Sequence, residues 1–258
     1  MTHMDSGGLV AEALERGVLT LTLGGGVAHP LSLGMIRAVQ AALNRAAANK
    51  EVRAIVLHGP GKIFCAGHDL KEIARHRRDG DDGLAYLTEL FNACSEMMIA
   101  LTRGPKPTIA MVEGIATAGG LQMVAACDLA FAADTATFCL PGVQNGGFCT
   151  TPSVAVGRVI PRKLVMEMAM SGAVYDANWA RQAGLVSRVL PPSELEGFTR
   201  DFAETLASRH PKAVGDGKQA FYAQIEAPLE QAYAQATEVM IGHFMDPVRI
   251  AQERDRWG

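Results

Sequence analysis

VRAIVLHGPGKIFCAGHDLKE, residues 52–72, holds most of the information about the fold. Val52 to Leu57 is a short apolar run closed by Gly59-Pro60-Gly61, which reads as a buried strand. Asp69 followed three residues later by Glu72 has the spacing of a capping box, so a short helix is expected to open just after Asp69. Ala66-Gly67 then forms a tight turn between strand and helix, where backbone N–H groups can point outward.

The surrounding sequence repeats this grammar. Upstream, residues 18 to 23 (VLTLTL) alternate as a strand and end at Gly24-Gly25-Gly26. Ser32 opens a helix to about Asn49, with Leu33, Ile36, Val39 and Leu43 on one face. Downstream come a helix over Leu84 to Leu101, a strand at Thr108 to Val112, and a second glycine corner, Gly114-Ile115-Ala116-Thr117-Ala118-Gly119-Gly120-Leu121-Gln122. Another helix opens near Gly119-Gly120, and β segments are expected at Leu129 to Ala132 and Thr137 to Leu140, before Pro141-Gly142. Alternating strands and helices to about residue 190 give the α/β class with crossover connections. After Pro191-Pro192 only helical stretches follow, at 193–209, 211–224 and 228–245. The expected organisation is therefore an α/β core over 1–195 and a helical region over 196–258.

Composition narrows the function. The 258 residues are 48% hydrophobic and 20% charged, an ordinary globular balance. The net charge of −3, with both signs mixed along the chain, offers no concentrated basic face for nucleic acid. No run approaches the ~18 apolar residues of a membrane span. The N-terminal MTHMDSGGLV lacks the pattern of a signal peptide. The five cysteines (Cys65, Cys94, Cys127, Cys139, Cys149) form no C-x-x-C pair, which argues against zinc or a disulfide framework and for a reducing cytoplasm. Gly59-Pro60-Gly61-Lys62 is not a phosphate loop, because Ile63 stands where Ser or Thr is needed. The triple glycine at 24–26 has no dinucleotide-binding continuation. Unpaired N–H groups at the two corners, with a helix start behind each, would attract negative charge.

In this order, about 50 residues apart, the corners resemble the two motifs of the crotonase (enoyl-CoA hydratase/isomerase) superfamily. Phe64 to Glu72 matches the first, and Gly114 to Leu129 the second, with Cys127-Asp128-Leu129 intact and Ala118 where glycine is common. Gly147-Phe148-Cys149-Thr150-Thr151-Pro152 and Ile160-Pro161-Arg162-Lys163 are most similar to the branch called enoyl-CoA hydratase domain-containing protein 3.

The resemblance implies a spiral of β-β-α units, a C-terminal trimerisation region giving a trimer or dimer of trimers, and an acyl-CoA thioester in a crevice. It implies no metal and no cofactor apart from the coenzyme A of the substrate. The backbone N–H groups of His68 and Gly119 would bind the thioester oxygen. Ala66, Gly67, Asp69, Leu70, Lys71, Gly120 and Pro141 would lie along the substrate. The two glutamates of family hydratases fall at Gln122 and Gly142, which cannot shuttle protons. Classical hydration is therefore expected to be slow. Three readings remain: a hydratase or isomerase with unconventional proton donors, a non-catalytic acyl-CoA binder, and enolate chemistry such as decarboxylation assisted by His68.

Several residues also have plainer roles. Asp69 is expected as a helix cap, Glu113 facing solvent or in a structural ion pair, and Met166, Met168 and Met170 as core or interface. Cys149 has no cationic neighbour in sequence to make it a nucleophile. Lys62, Lys71 and Arg75 either reach the coenzyme's phosphates or form a solvated face.

Overall fold

The computed structural model describes residues 2–4 and 8–257. Among the described residues eleven strands form two sheets. They are β1 (Thr2–Met4), β2 (Val10–Glu15), β3 (Val18–Leu23), β4 (Ala54–Gly59), β5 (Ile63–Cys65), β6 (Thr108–Val112), β7 (Ile115–Thr117), β8 (Leu129–Ala133), β9 (Thr137–Cys139), β10 (Tyr175–Asp176) and β11 (Arg188–Leu190). The larger sheet runs β1-β2-β3-β4-β6-β8-β11 and the smaller β10-β9-β7-β5.

The topology is a spiral. Three consecutive strand pairs, β4–β5, β6–β7 and β8–β9, each give one strand to the large sheet and one to the small. The turns stack in parallel register, Ile55 against Thr108 and Ile109 against Leu129 in one sheet, Ile115 against Thr137 in the other. Strand β6 is buried at every position, as a parallel strand covered on both faces must be.

Helices cover the sheets, all but one of them from the outside. The first four are α1 (Leu33–Ala48), α2 (Leu70–His76), α3 (Leu84–Arg103) and α4 (Gly119–Ala126). Ser32 caps α1, its side chain accepting from the Met35 N–H at 3.0 Å, and the helix ends at Asn49. Helix α4 lies wholly inside, every residue buried, which explains why its sequence carries no amphipathic stripe. Then follow α5 (Thr150–Val156), α6 (Arg162–Ser171), α7 (Ala177–Ala183), α8 (Pro192–Ala207), α9 (Pro211–Gln224), α10 (Leu229–Phe244) and α11 (Pro247–Trp257).

Helix α8 straddles residue 195 and packs on the large sheet. Leu195, Ala203 and Ala207 are buried against Val56, Ile109 and Phe131, and Phe131 meets Phe198 and Phe202 edge-on. The sheet layer therefore continues to Ala207. Beyond it, α9–α11 bury few side chains, and Phe221, Leu229, Tyr233, Met240 and Ile241 stand exposed. Of the methionine run, Met168 is core, whereas Met166 and Met170 face outward.

Candidate functional site

The smaller sheet explains why residues about 50 positions apart meet. Cys65 pairs with Ala116, and Thr117 with Cys139, in parallel. Strands β5, β7 and β9 therefore end on one edge, and the segments leaving them (66–69, 118–120 and 140–142) emerge side by side. The Ala118 N–H donates to the Cys139 carbonyl at 3.1 Å, tying the second segment to the third.

The first two segments are in van der Waals contact. A β-carbon on Gly67 (φ +83°) would lie 3.0 Å from the Gly119 nitrogen and 3.0 Å from the Ala118 β-carbon. One on Gly120 would meet the Cys65 carbonyl oxygen at 2.1 Å. Only glycine permits this approach at either place.

The amide directions follow from the hydrogen bonds. Leu31 donates to the Gly67 carbonyl (2.8 Å) and accepts from the Asp69 N–H (3.2 Å), forming a one-residue parallel bridge across from His68. In such a bridge the intervening residue turns its own N–H and carbonyl the other way, so the His68 amide points away from Leu31. Gly119 is the first residue of α4, where an N–H has no carbonyl within the helix to bond. Ala118 before it adopts φ 50°, ψ −116°, a conformation that suits glycine and strains alanine.

The side chains around these amides carry little charge. His68 packs its ring edge-on to Phe91 of α3, and its Nε2 is buried without a partner. Burial pushes its pKa from 6.5 down to about 4, so the imidazole is neutral at pH 7. Gln122 is 4% exposed and its Oε1 is buried and unpaired. Asp69 caps α2, accepting from the Lys71 and Glu72 N–H groups at 2.9 and 3.1 Å. The second half of the expected capping box is absent. Glu72 instead accepts from the Leu33 N–H at the start of α1 (3.1 Å), because the Asp69 N–H is committed to Leu31. Glu113 bonds His58 Nε2 and the Gly61 N–H, both at 2.8 Å, a structural clamp on the 59–61 turn.

Gly142 is the second residue of a 3₁₀ turn, Pro141–Asn145, packed against the segment that leads into α5. A β-carbon there would lie 2.7 Å from the Cys149 nitrogen and 3.0 Å from its Sγ. The space where a glutamate side chain would begin is thus filled by backbone. Cys149 is buried, and desolvation raises its thiol pKa, the opposite of an activated nucleophile. Leu70, Lys71 and Arg75 lie on exposed positions of α2, with Arg75 3.6 Å from Glu72. Ala66 and Pro141 are half-buried at the same edge.

Helix packing supplies residues that no sequence motif marks. Beside Gln122 opens a cavity of about 330 Å³ between α3, α4, α5 and α9, walled by Met98, Ile99, Ala125, Val154, Tyr222 and Ile225. Phe91 and Tyr222 come from helices whose sequences announce a helix but not what it faces.

Residues 13–252 match the family model described as enoyl-CoA hydratase/isomerase. The chain belongs to the enoyl-CoA hydratase/isomerase family. A crystal structure of a family protein from Silicibacter pomeroyi is 58% identical, with a TM-score of 0.89 over 93% of this chain and 100% of that one. The crystal structure of human enoyl-CoA hydratase domain-containing protein 3 is 34% identical, with a TM-score of 0.88 over 93% and 94%. The mitochondrial rat protein of that name is 40% identical over 83% of this chain and 69% of its own length. The chain is a crotonase-type protein of the domain-containing-protein-3 branch. Among its described residues no helix is long and apolar enough to cross a membrane.

Proposed function

We propose that this family member binds acyl-CoA thioesters with the carbonyl oxygen between the N–H groups of His68 and Gly119, and that it is a poor classical hydratase. The observation that carries the reading is the pair of uncommitted amides on touching corners, one excluded from the Leu31 bridge and one at the start of α4. Such donors are each worth about 3 kcal/mol when negative charge develops on an oxygen between them. Backbone donors do not depend on the residue that carries them, so a histidine at 68 leaves this one in place.

Water addition across an enoyl thioester needs a positioned acid and base, a contribution of roughly 10²–10⁴ in rate. Gln122 has the wrong functional group, and Gly142 has neither a side chain nor room for one. A neutral His68 is a weak proton donor at pH 7. These residues favour either binding without turnover or a reaction that forms an enolate without a base, such as decarboxylation of a malonyl-type thioester, in which the carboxylate leaves as CO2, its C–C bonding pair becomes the enolate and water supplies the proton. The exposed apolar side chains of α9–α11 support assembly as a trimer or a dimer of trimers. The buried free cysteines fit a reducing compartment such as the cytoplasm.

Calorimetric titration with acetyl-CoA, followed by assay against enoyl- and malonyl-type thioesters, tests the reading. Binding with negligible hydration is expected. Failure to bind any thioester overturns it, and rapid hydration of an enoyl-CoA removes the conclusion drawn from Gln122 and Gly142.

A further inference from the structure

A buried cation ties helix α9 to the core. Lys218 Nζ, with its side chain 6% exposed, lies 2.8 Å from Asp128 Oδ2 and donates to the carbonyls of Leu101 and Lys106, both at 2.9 Å. All three ammonium donors are thus used. Leu101 is in the last turn of α3, where a cation also meets the negative end of the helix dipole. Asp128 follows α4 and is fixed by the Thr108 N–H (2.7 Å) and hydroxyl (3.0 Å). Thr102 completes the junction, its hydroxyl bonding the Ala126 carbonyl at 3.0 Å. Three helices are therefore fastened at one point.

One turn further along α9 Tyr222, and at its C-terminal cap Ile225, form a wall of the cavity beside Gln122. Burial and the neighbouring Asp128 charge raise the Tyr222 pKa, keeping the phenol neutral. At the outer rim Glu226 pairs with Arg103 (3.0 Å) and approaches Arg158 (3.8 Å), both exposed. Exposed pairs of this kind hold little, which leaves Lys218 and the contact of Tyr222 with Asp128 as the buried polar ties of this wall.

We propose that Lys218 is a positioning residue that, through Asp128 and the end of α3, sets Tyr222 and Ile225 as the wall of a chain-length-selective cavity for the aliphatic part of the acyl group. The proposal rests on the thioester reading above. Gln122 connects the two. It lies one helical turn after Gly119 and also lines the cavity, so a chain leaving the thioester carbonyl passes it to reach apolar walls. The Lys218 lock makes the cavity a shaped site with a fixed outer wall. A chain that fills it gains at each buried methylene, and one that outgrows it meets α9.

The test is calorimetric titration of the full chain with acetyl-CoA and octanoyl-CoA. In the wild type, octanoyl-CoA is expected to bind at least about tenfold more tightly. Lys218→Met should cost octanoyl-CoA about tenfold and acetyl-CoA less than about threefold. Equal losses for both ligands would reduce Lys218 to a fold-maintaining role and overturn the proposal. A wild type that binds acetyl-CoA but gains nothing from the longer chain overturns the cavity alone, whereas one that binds neither overturns the thioester reading as well. Should Lys218→Met fail to fold, Ile225→Trp decides. Ile225 is 53% exposed, so the fold tolerates the change, and the added bulk should lower octanoyl-CoA affinity selectively. No selective loss there rejects the cavity.

Discussion

The imidazole of His68 meets the ring of Phe91 edge-on, centroids 4.8 Å apart and planes at 64°. A phenyl ring offers no carbonyl or carboxylate oxygen to a charged imidazole, and burial disfavours the charge itself. The pKa accordingly falls from 6.5 to about 4. Between those values the unfolded chain takes up a proton that the folded chain refuses. Stability therefore rises with pH across that window: the His68 contribution is complete above about pH 6.5 and is lost as the pH falls toward 4. Urea denaturation of wild type and His68→Leu at pH 7 and pH 4.5 isolates it. The wild type should lose about 2 kcal/mol more than the variant between the two. Parallel losses would mean that His68 titrates normally.

Ala118 stands where its backbone conformation, φ 50° and ψ −116°, favours glycine. The strain aims the Gly119 amide, since Ala118 is the last residue before α4. Ala118→Gly should stabilise the protein by about 1 kcal/mol, read as a higher urea midpoint at unchanged slope. A lower midpoint would show that the Ala118 methyl packs more favourably than the conformation costs.

What could be read in the sequence follows the range of the forces involved. Helix α1 was legible end to end, because Ser32, the apolar spacing and Asn49 are local signals. Strand β6 and helix α9 were equally plain at 108–112 and 211–224. Strand β2 carries no such local signal. VAEALE has helix-forming residues, and it is a strand because β3 pairs with it from Val10–Leu23 to Glu15–Val18. Helices α5 and α11 lack it as well. The first, TTPSVAV, is rich in β-branched residues, and the second carries charge on most faces. At the candidate site, the glycine corners and the Asp69 cap are written locally. The partners of His68 and Gln122 are not, since Phe91 and Tyr222 arrive from other helices through packing alone.

Gly142 limits what can be restored by mutation. Even a methyl group at that position would press on the Cys149 nitrogen at 2.7 Å, and backbone cannot yield as a flexible side chain can. Gly142→Ala should therefore destabilise by about 1–3 kcal/mol, measured as a fall in thermal midpoint. It follows that Gln122→Glu together with Gly142→Glu should not create a hydratase, although both glutamates would then be present. A stable double variant that hydrates crotonyl-CoA would refute this and show that the 146–149 segment moves aside.

All five cysteines are buried and free, and burial raises the pKa of Cys65, Cys94 and Cys127 to about 12. Thiol reagents attack the thiolate, which these environments suppress both by desolvation and by denying access. The native protein at pH 8 should therefore show almost no reaction with a chromogenic disulfide over minutes, and five equivalents once guanidinium is added. Cys149 gives the sharpest reading, because it lies beside Gly142 at the candidate site and its pKa is also raised. One fast equivalent in the native state, lost in Cys149→Ser, would mean that this edge of the site opens to solvent and that the packing of Gly142 on Cys149 is not permanent.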